Sequence, residues 1–174
     1  MTTTLDMGTI NMGSAHTARL EWEGFKDLAP DANAALLNLS SVAANNGLDK
    51  TLLELVKLRV SQINACSFCV AWHVNVASRL GVAGEKLHTV AAWRGAKAFD
   101  TRERAALAWA EALTLISQQG VTDEAYADAH AAFSDRELAL LTSAIMAINA
   151  RNRLGAAYQF TPPPIANSAA AAIS

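Results

Sequence analysis

Two capping boxes constrain this chain most. Asp100 stands three residues before Glu103, and Ser134 three residues before Glu137. In such a box the first side chain caps a helix's free N–H groups while the acid reaches back to the cap. Behind the first box come Ala106, Trp109, Ala110, Leu113 and Ile116; behind the second come Leu138, Leu141, Ile145 and Ile148. Both series run at helical steps and predict one apolar helix face each. The same pattern extends upstream. Residues 31–44 form a helix candidate closed by Asn45-Asn46-Gly47. Asp49 caps the next, which carries Leu52, Leu55, Val56, Leu58 and Ile63. A third covers residues 67–80 and ends at Gly81, a shorter one covers 84–93, and Thr122 with Asp123 and Glu124 opens another. No bounded run of alternating β-branched residues interrupts them. The predicted fold class is all-α: a compact helical bundle, one domain over residues 16–163. Residues 1–15 read as a mobile leader, and 164–174, from the last proline of Thr161-Pro-Pro-Pro onward, as an alanine-rich tail.

Composition narrows the function. The chain has 174 residues, 52% of them hydrophobic, enough for one core without covalent staples. Its net charge of −2 supplies no electrostatic footprint for nucleic acid or an anionic membrane surface. No apolar run approaches the ~20 residues of a membrane span. A cytoplasmic protein is expected. Two cysteines are too few for a disulfide framework, and in a reducing compartment a close pair points to chemistry rather than architecture.

That pair lies in Asn64-Ala-Cys66-Ser-Phe-Cys69-Val-Ala-Trp-His73. On a helix, positions 66, 69 and 73 share one face, with Ala77 and Leu80 on the same stripe and Ser67, Asn75 and Ser78 opposite. Both thiols and the imidazole are therefore expected on a core-directed face. An i, i+3 pair can close a disulfide with little backbone movement. Cys66, near the first turn, meets the positive end of the helix, which favours its thiolate. His73, one turn beyond Cys69, is placed to exchange a proton with it. Zinc would need a fourth ligand, His88 or Glu54, and no metal is expected. A c-type haem would need histidine directly after Cys69, where Val70 stands.

The stretch from Glu54-Leu-Val-Lys-Leu-Arg through His73 resembles the core of the alkylhydroperoxidase D family, within the carboxymuconolactone decarboxylase-like superfamily. The 101–114 segment, and Ala147-Ile-Asn149 with Asn152-Arg153-Leu154, resemble it too, so the likeness spans roughly residues 19–163. It implies an all-helical subunit, thiol-dependent peroxidase activity without a cofactor, and trimeric or hexameric homo-oligomers. Oligomers also suit a chain with more apolar helix faces than one bundle can bury. Carried over by position, Cys69 would attack the hydroperoxide and Cys66 would resolve it, whereas the helix dipole alone favours Cys66 as the more acidic thiol. His73 and Glu54 would relay the proton, and a dithiol, such as that of a lipoyl-bearing protein, would restore the pair. Phe68 stands where the best-studied branch has a histidine, which leaves a differently directed thiol oxidoreductase open.

Two further function classes stay open: a non-catalytic, redox-responsive helical oligomer, and a decarboxylase-type lyase, which would not need the cysteine pair. Without the resemblance, Glu54 reads as a solvated i, i+3 partner of Lys57, with Ser61 on the same polar side. Trp72, Trp93 and Trp109 suit core or interface positions, and His88 and His130 have no partner motif.

Overall fold

The computed structural model describes residues 17–165, and all of its regular structure is helical. The predicted leader lies outside the described residues, as does the tail beyond Ile165. Among the described residues, nine α-helices follow in order: α1 Trp22–Leu28, α2 Pro30–Asn45, α3 Lys50–Ile63, α4 Ser67–Arg79, α5 Gly84–Thr89, α6 Thr101–Thr114, α7 Ile116–Gln119, α8 Asp123–Ala132 and α9 Asp135–Tyr158. A 3₁₀ turn, Val90–Ala92, tightens the end of α5, so the predicted 84–93 helix is split. Among the described residues, no helix is long and apolar enough to cross a membrane.

The expected caps are in place. Asp49 accepts from Leu52 N at 2.8 Å, and both capping boxes are closed in each direction. Gly81 adopts φ +81°, the left-handed value that ends α4 without a Cβ clash. Two expectations fail locally. α6 stops at Thr114, and Ile116, assigned to its apolar stripe, is exposed. Leu80, assigned to the thiol face of α4, is exposed beyond the last turn. α1 was not predicted at all: it has seven residues, no side-chain cap and only Phe25 buried, so it carries no periodic signal.

α3 is the axis of the fold. It packs against α4, α6 and α9 together. Leu52, Leu53, Val56 and Val60 join α2, α6, α8 and α9 in the larger core, while Leu55 and Leu58 meet Val90, Trp93, Phe99 and Leu107 in a second one. A helix apolar on two opposite sides has no broad solvent face. Its remaining polar residues must then find partners inside the protein.

Candidate active site

Backbone geometry at the α3–α4 junction places the cysteines. α3 ends in a Schellman turn: Ala65 N donates to Gln62 O at 3.1 Å, and Cys66 N to Ser61 O at 3.0 Å. Ala65 occupies the left-handed position at φ +51°, which costs a residue with a Cβ about 1 kcal/mol. Asparagines hold the turn in place. Asn64 Nδ2 donates to Asn149 Oδ1 at 2.9 Å and Asn152 Oδ1 at 3.0 Å, while fully buried Asn152 donates to Ser61 Oγ at 3.0 Å. The asparagines of α9 thus position the start of α4.

Cys66 is the N-cap of α4, its Sγ accepting from Cys69 N at 3.3 Å. The two cysteines form a disulfide with Cα atoms 5.3 Å apart, and both are buried. Behind them lies Gly155 of α9. A Cβ there would sit 2.5 Å from Cys66 Sγ and 3.2 Å from Cys69 Sγ. No sequence signal marks this glycine, because it lies within a helix and the close approach comes from another segment. Gly155→Ala should therefore lower the melting temperature of the oxidised protein by several degrees, since overpacking costs about 1–3 kcal/mol and a helical alanine returns only part of that. Calorimetry should show a smaller loss in the reduced protein, whose thiols can rotate away; equal losses in both forms would contradict this account.

Glu54 overturns the residue-level expectation. Only 6% exposed, it is not part of a solvated pair. The ion pair with Lys57 exists, at 2.8 Å, but the other carboxylate oxygen lies 2.7 Å from His73 Nδ1. Ser61, placed on the same supposed polar side, is fully buried. Burial alone would raise the Glu54 pKa, but the hydrogen bond from His73 and the Lys57 ammonium outweigh it, and the carboxyl is held below its ordinary range. For His73, burial disfavours the imidazolium and outweighs the pull of Glu54, so its pKa is lowered. An ionised carboxylate beside a neutral ring makes Nδ1 the protonated nitrogen and leaves the Nε2 lone pair free to accept.

These directions make the protein acid-sensitive. Below about pH 6.5 the unfolded chain protonates His73 while the folded protein resists, so stability falls as pH drops toward the folded pKa. The Glu54 contribution is complete above about pH 4.3 and is lost as pH falls through its lower folded value. Both slopes have the same sign. A melting series across acid pH should fall from near 6.5, and the upper part of that decline should flatten in His73→Gln; an unchanged profile would count against a buried neutral ring.

Cys69, His73 and Glu54 line one cleft of about 380 Å³, with Phe68 and Trp72 on its wall. Phe68 stacks on Trp72 and meets Phe160 edge-on, with centroids 5.9 and 5.4 Å apart, so it is part of an aromatic wall. Trp93 and Trp109 are core residues, whereas Trp72 is exposed. Arg151 and Asn33, neither singled out from the sequence, also line the cleft. His88 lies apart from it on α5. Among the described residues, no group of three or more His, Cys, Asp or Glu is placed to hold a metal ion.

Residues 30–112 match the model of the carboxymuconolactone decarboxylase family. A crystal structure from Agrobacterium tumefaciens, of a protein of unknown function suggested to be the antioxidant defence protein AhpD, is 32% identical. It superposes with a TM-score of 0.80 over 85% of this chain and 99% of that one. This chain belongs to the carboxymuconolactone decarboxylase family, as an alkylhydroperoxidase D-like member. The resemblance drawn from the cysteine motif is thus borne out. Other proteins of similar sequence are the uncharacterised protein YdfG of Bacillus subtilis, 29% identical over 76% of this chain and 90% of its own length, and the uncharacterised protein YnjA of Escherichia coli. YnjA is 35% identical over 63% of this chain and 60% of its own. Within this alkylhydroperoxidase D-like chain, the four residues carried over from the motif, Glu54, Cys66, Cys69 and His73, come together at one site formed by α3 and α4.

Proposed function

We propose that this protein is a thiol peroxidase that reduces hydroperoxides with the Cys66–Cys69 pair. The observation that carries the reading is the cleft that Cys69 shares with His73, whose ring is anchored by a buried carboxylate. The suggested antioxidant defence role of the Agrobacterium relative supports the same class.

In the reduced protein, Nε2 of His73 takes the Cys69 proton. The thiolate attacks the terminal oxygen of R–O–O–H, the O–O bond breaks, and the departing alkoxide takes the proton from His73 to leave as R–OH. Cys69 is then a sulfenic acid. The Cys66 thiol attacks its sulfur, the disulfide forms and water leaves. An external dithiol, such as that of a lipoyl-bearing protein, restores both thiols by two exchanges and itself becomes a disulfide. Cys69 is the attacking sulfur in this scheme because it lines the cleft, whereas Cys66 does not. As the helix N-cap, Cys66 is the stabler leaving thiolate when the reductant attacks Cys69.

The cycle suits a reducing compartment such as the cytoplasm. Homo-oligomerisation belongs to the same reading, supported by the exposed Leu28, Leu37 and Met146. The test is dithiol-dependent consumption of an organic hydroperoxide, comparing the intact chain with its single-cysteine variants. Steady turnover that needs both cysteines supports the peroxidase; hydroperoxide loss at the uncatalysed rate refutes it.

A further inference from the structure

We propose that Arg151 is an anion-binding residue of the cleft, and that the ligand it selects is an apolar molecule ending in a single carboxylate. The charges around the cleft single out this residue. Glu54 is balanced by Lys57 and held by His73, and Lys26 is paired with Glu23. Arg151 has no carboxylate partner among the described residues, and its Nη1 is buried without a hydrogen-bond acceptor. Its guanidinium rests over the Trp22 ring, 4.9 Å from the centroid, which holds it in position but does not satisfy its N–H groups. Burial lowers its pKa, consistent with a cation stripped of much of its water.

The rest of the cleft describes the remainder of the ligand. Leu37, Val76, Ile148, Phe68 and Trp72 supply an apolar wall. The volume of about 380 Å³ lies within the range of small-molecule sites, roughly 300–1,000 Å³. One uncompensated positive charge matches a monoanion better than a dianion. The planar guanidinium fork suits a carboxylate, which can accept two parallel N–H bonds. Asn33 Oδ1, also buried without a donor in the same cleft, offers an acceptor for an O–H of the ligand. The proposal rests on the peroxidase reading only for what such a ligand does there, namely to carry a hydroperoxide group to Cys69.

The test is binding to the full-length oxidised protein, read by quenching of tryptophan fluorescence, since Trp22 and Trp72 line the cleft. Octanoate and octanamide are compared as a charged and a neutral probe of the same length. Octanoate should bind the intact chain at least about tenfold more tightly than octanamide. Arg151→Gln should reduce octanoate to the level of octanamide, and Arg151→Lys should keep part of the preference. Equal affinity for the two probes, no binding of either, or a preference that survives Arg151→Gln would overturn the proposal. Because no turnover is involved, inactivity toward hydroperoxides with an intact octanoate preference would sink the peroxidase reading alone. Hydroperoxide turnover without that preference would sink this proposal alone.

Discussion

Cys69→Ser should abolish hydroperoxide turnover, whereas Cys66→Ser should still consume about one equivalent per chain. The asymmetry follows from what each sulfur reaches. Cys69 lines the cleft with His73, so its thiolate meets the peroxide and is left as a sulfenic acid even when no partner can resolve it. Cys66 sits behind it as the N-cap of α4, with Gly155 at its back, and does not line the cleft. Trapping the sulfenic acid of Cys66→Ser with a dimedone reagent, followed by mass analysis, should place the adduct on Cys69. The reverse pattern, with Cys66 modified and Cys69→Ser giving the single round, would make the cap residue the attacking thiol, as the helix dipole alone suggests. A redox-responsive oligomer without catalysis would show disulfide formation at the uncatalysed rate, and a decarboxylase-type lyase would keep its activity in both variants.

The second large effect belongs to His73 and Glu54. His73→Gln should lower turnover by about 10²- to 10⁴-fold, the ordinary contribution of a positioned acid–base group. It should also slow alkylation of reduced Cys69 at neutral pH, because an amide cannot take the thiol proton. Glu54→Gln should act through the same ring. A glutamine can accept from Lys57 or from the imidazole but not hold both as the carboxylate does, which frees the ring's tautomer and orientation. Turnover should fall at least about tenfold, with the alkylation profile of Cys69 moved to higher pH. Stability should fall too, by about 1–3 kcal/mol, since a buried network loses a charged acceptor. A stability loss with an unmoved alkylation profile would reduce Glu54 to a packing residue.

The burial of Glu54 shows where reading along the chain fails. On the α3 wheel it falls with Lys57 and Ser61, outside the arc of Leu52, Leu55, Val56 and Ile63, and a single amphipathic helix would turn that side to water. α3 is enclosed instead by α4, α6 and α9, so the supposed outer side faces His73 and the asparagines of α9. Only the resemblance of the motif to a known family gave the opposite reading of Glu54. Arg151 and Gly155 carried no warning, since a lone arginine or glycine in a helix is commonplace. Their meaning comes from Trp22 and the disulfide, which lie far away along the chain.

From its residues alone this chain determined the all-helical class, the capping boxes at Asp100 and Ser134, the cap at Asp49, and the placement of Cys66 and Cys69 at the start of one helix. These are short-range matters, decided within a few residues by N–H groups that need a partner and by apolar side chains recurring at helical steps. Tertiary structure alone decided that Glu54 is buried against His73, that Gly155 leaves room for both sulfurs, and that Arg151 lies in the cleft without an acceptor. Each depends on a segment distant in sequence closing over the helix, and burial, not residue type, turns a charged side chain from a solvated group into one that must be answered.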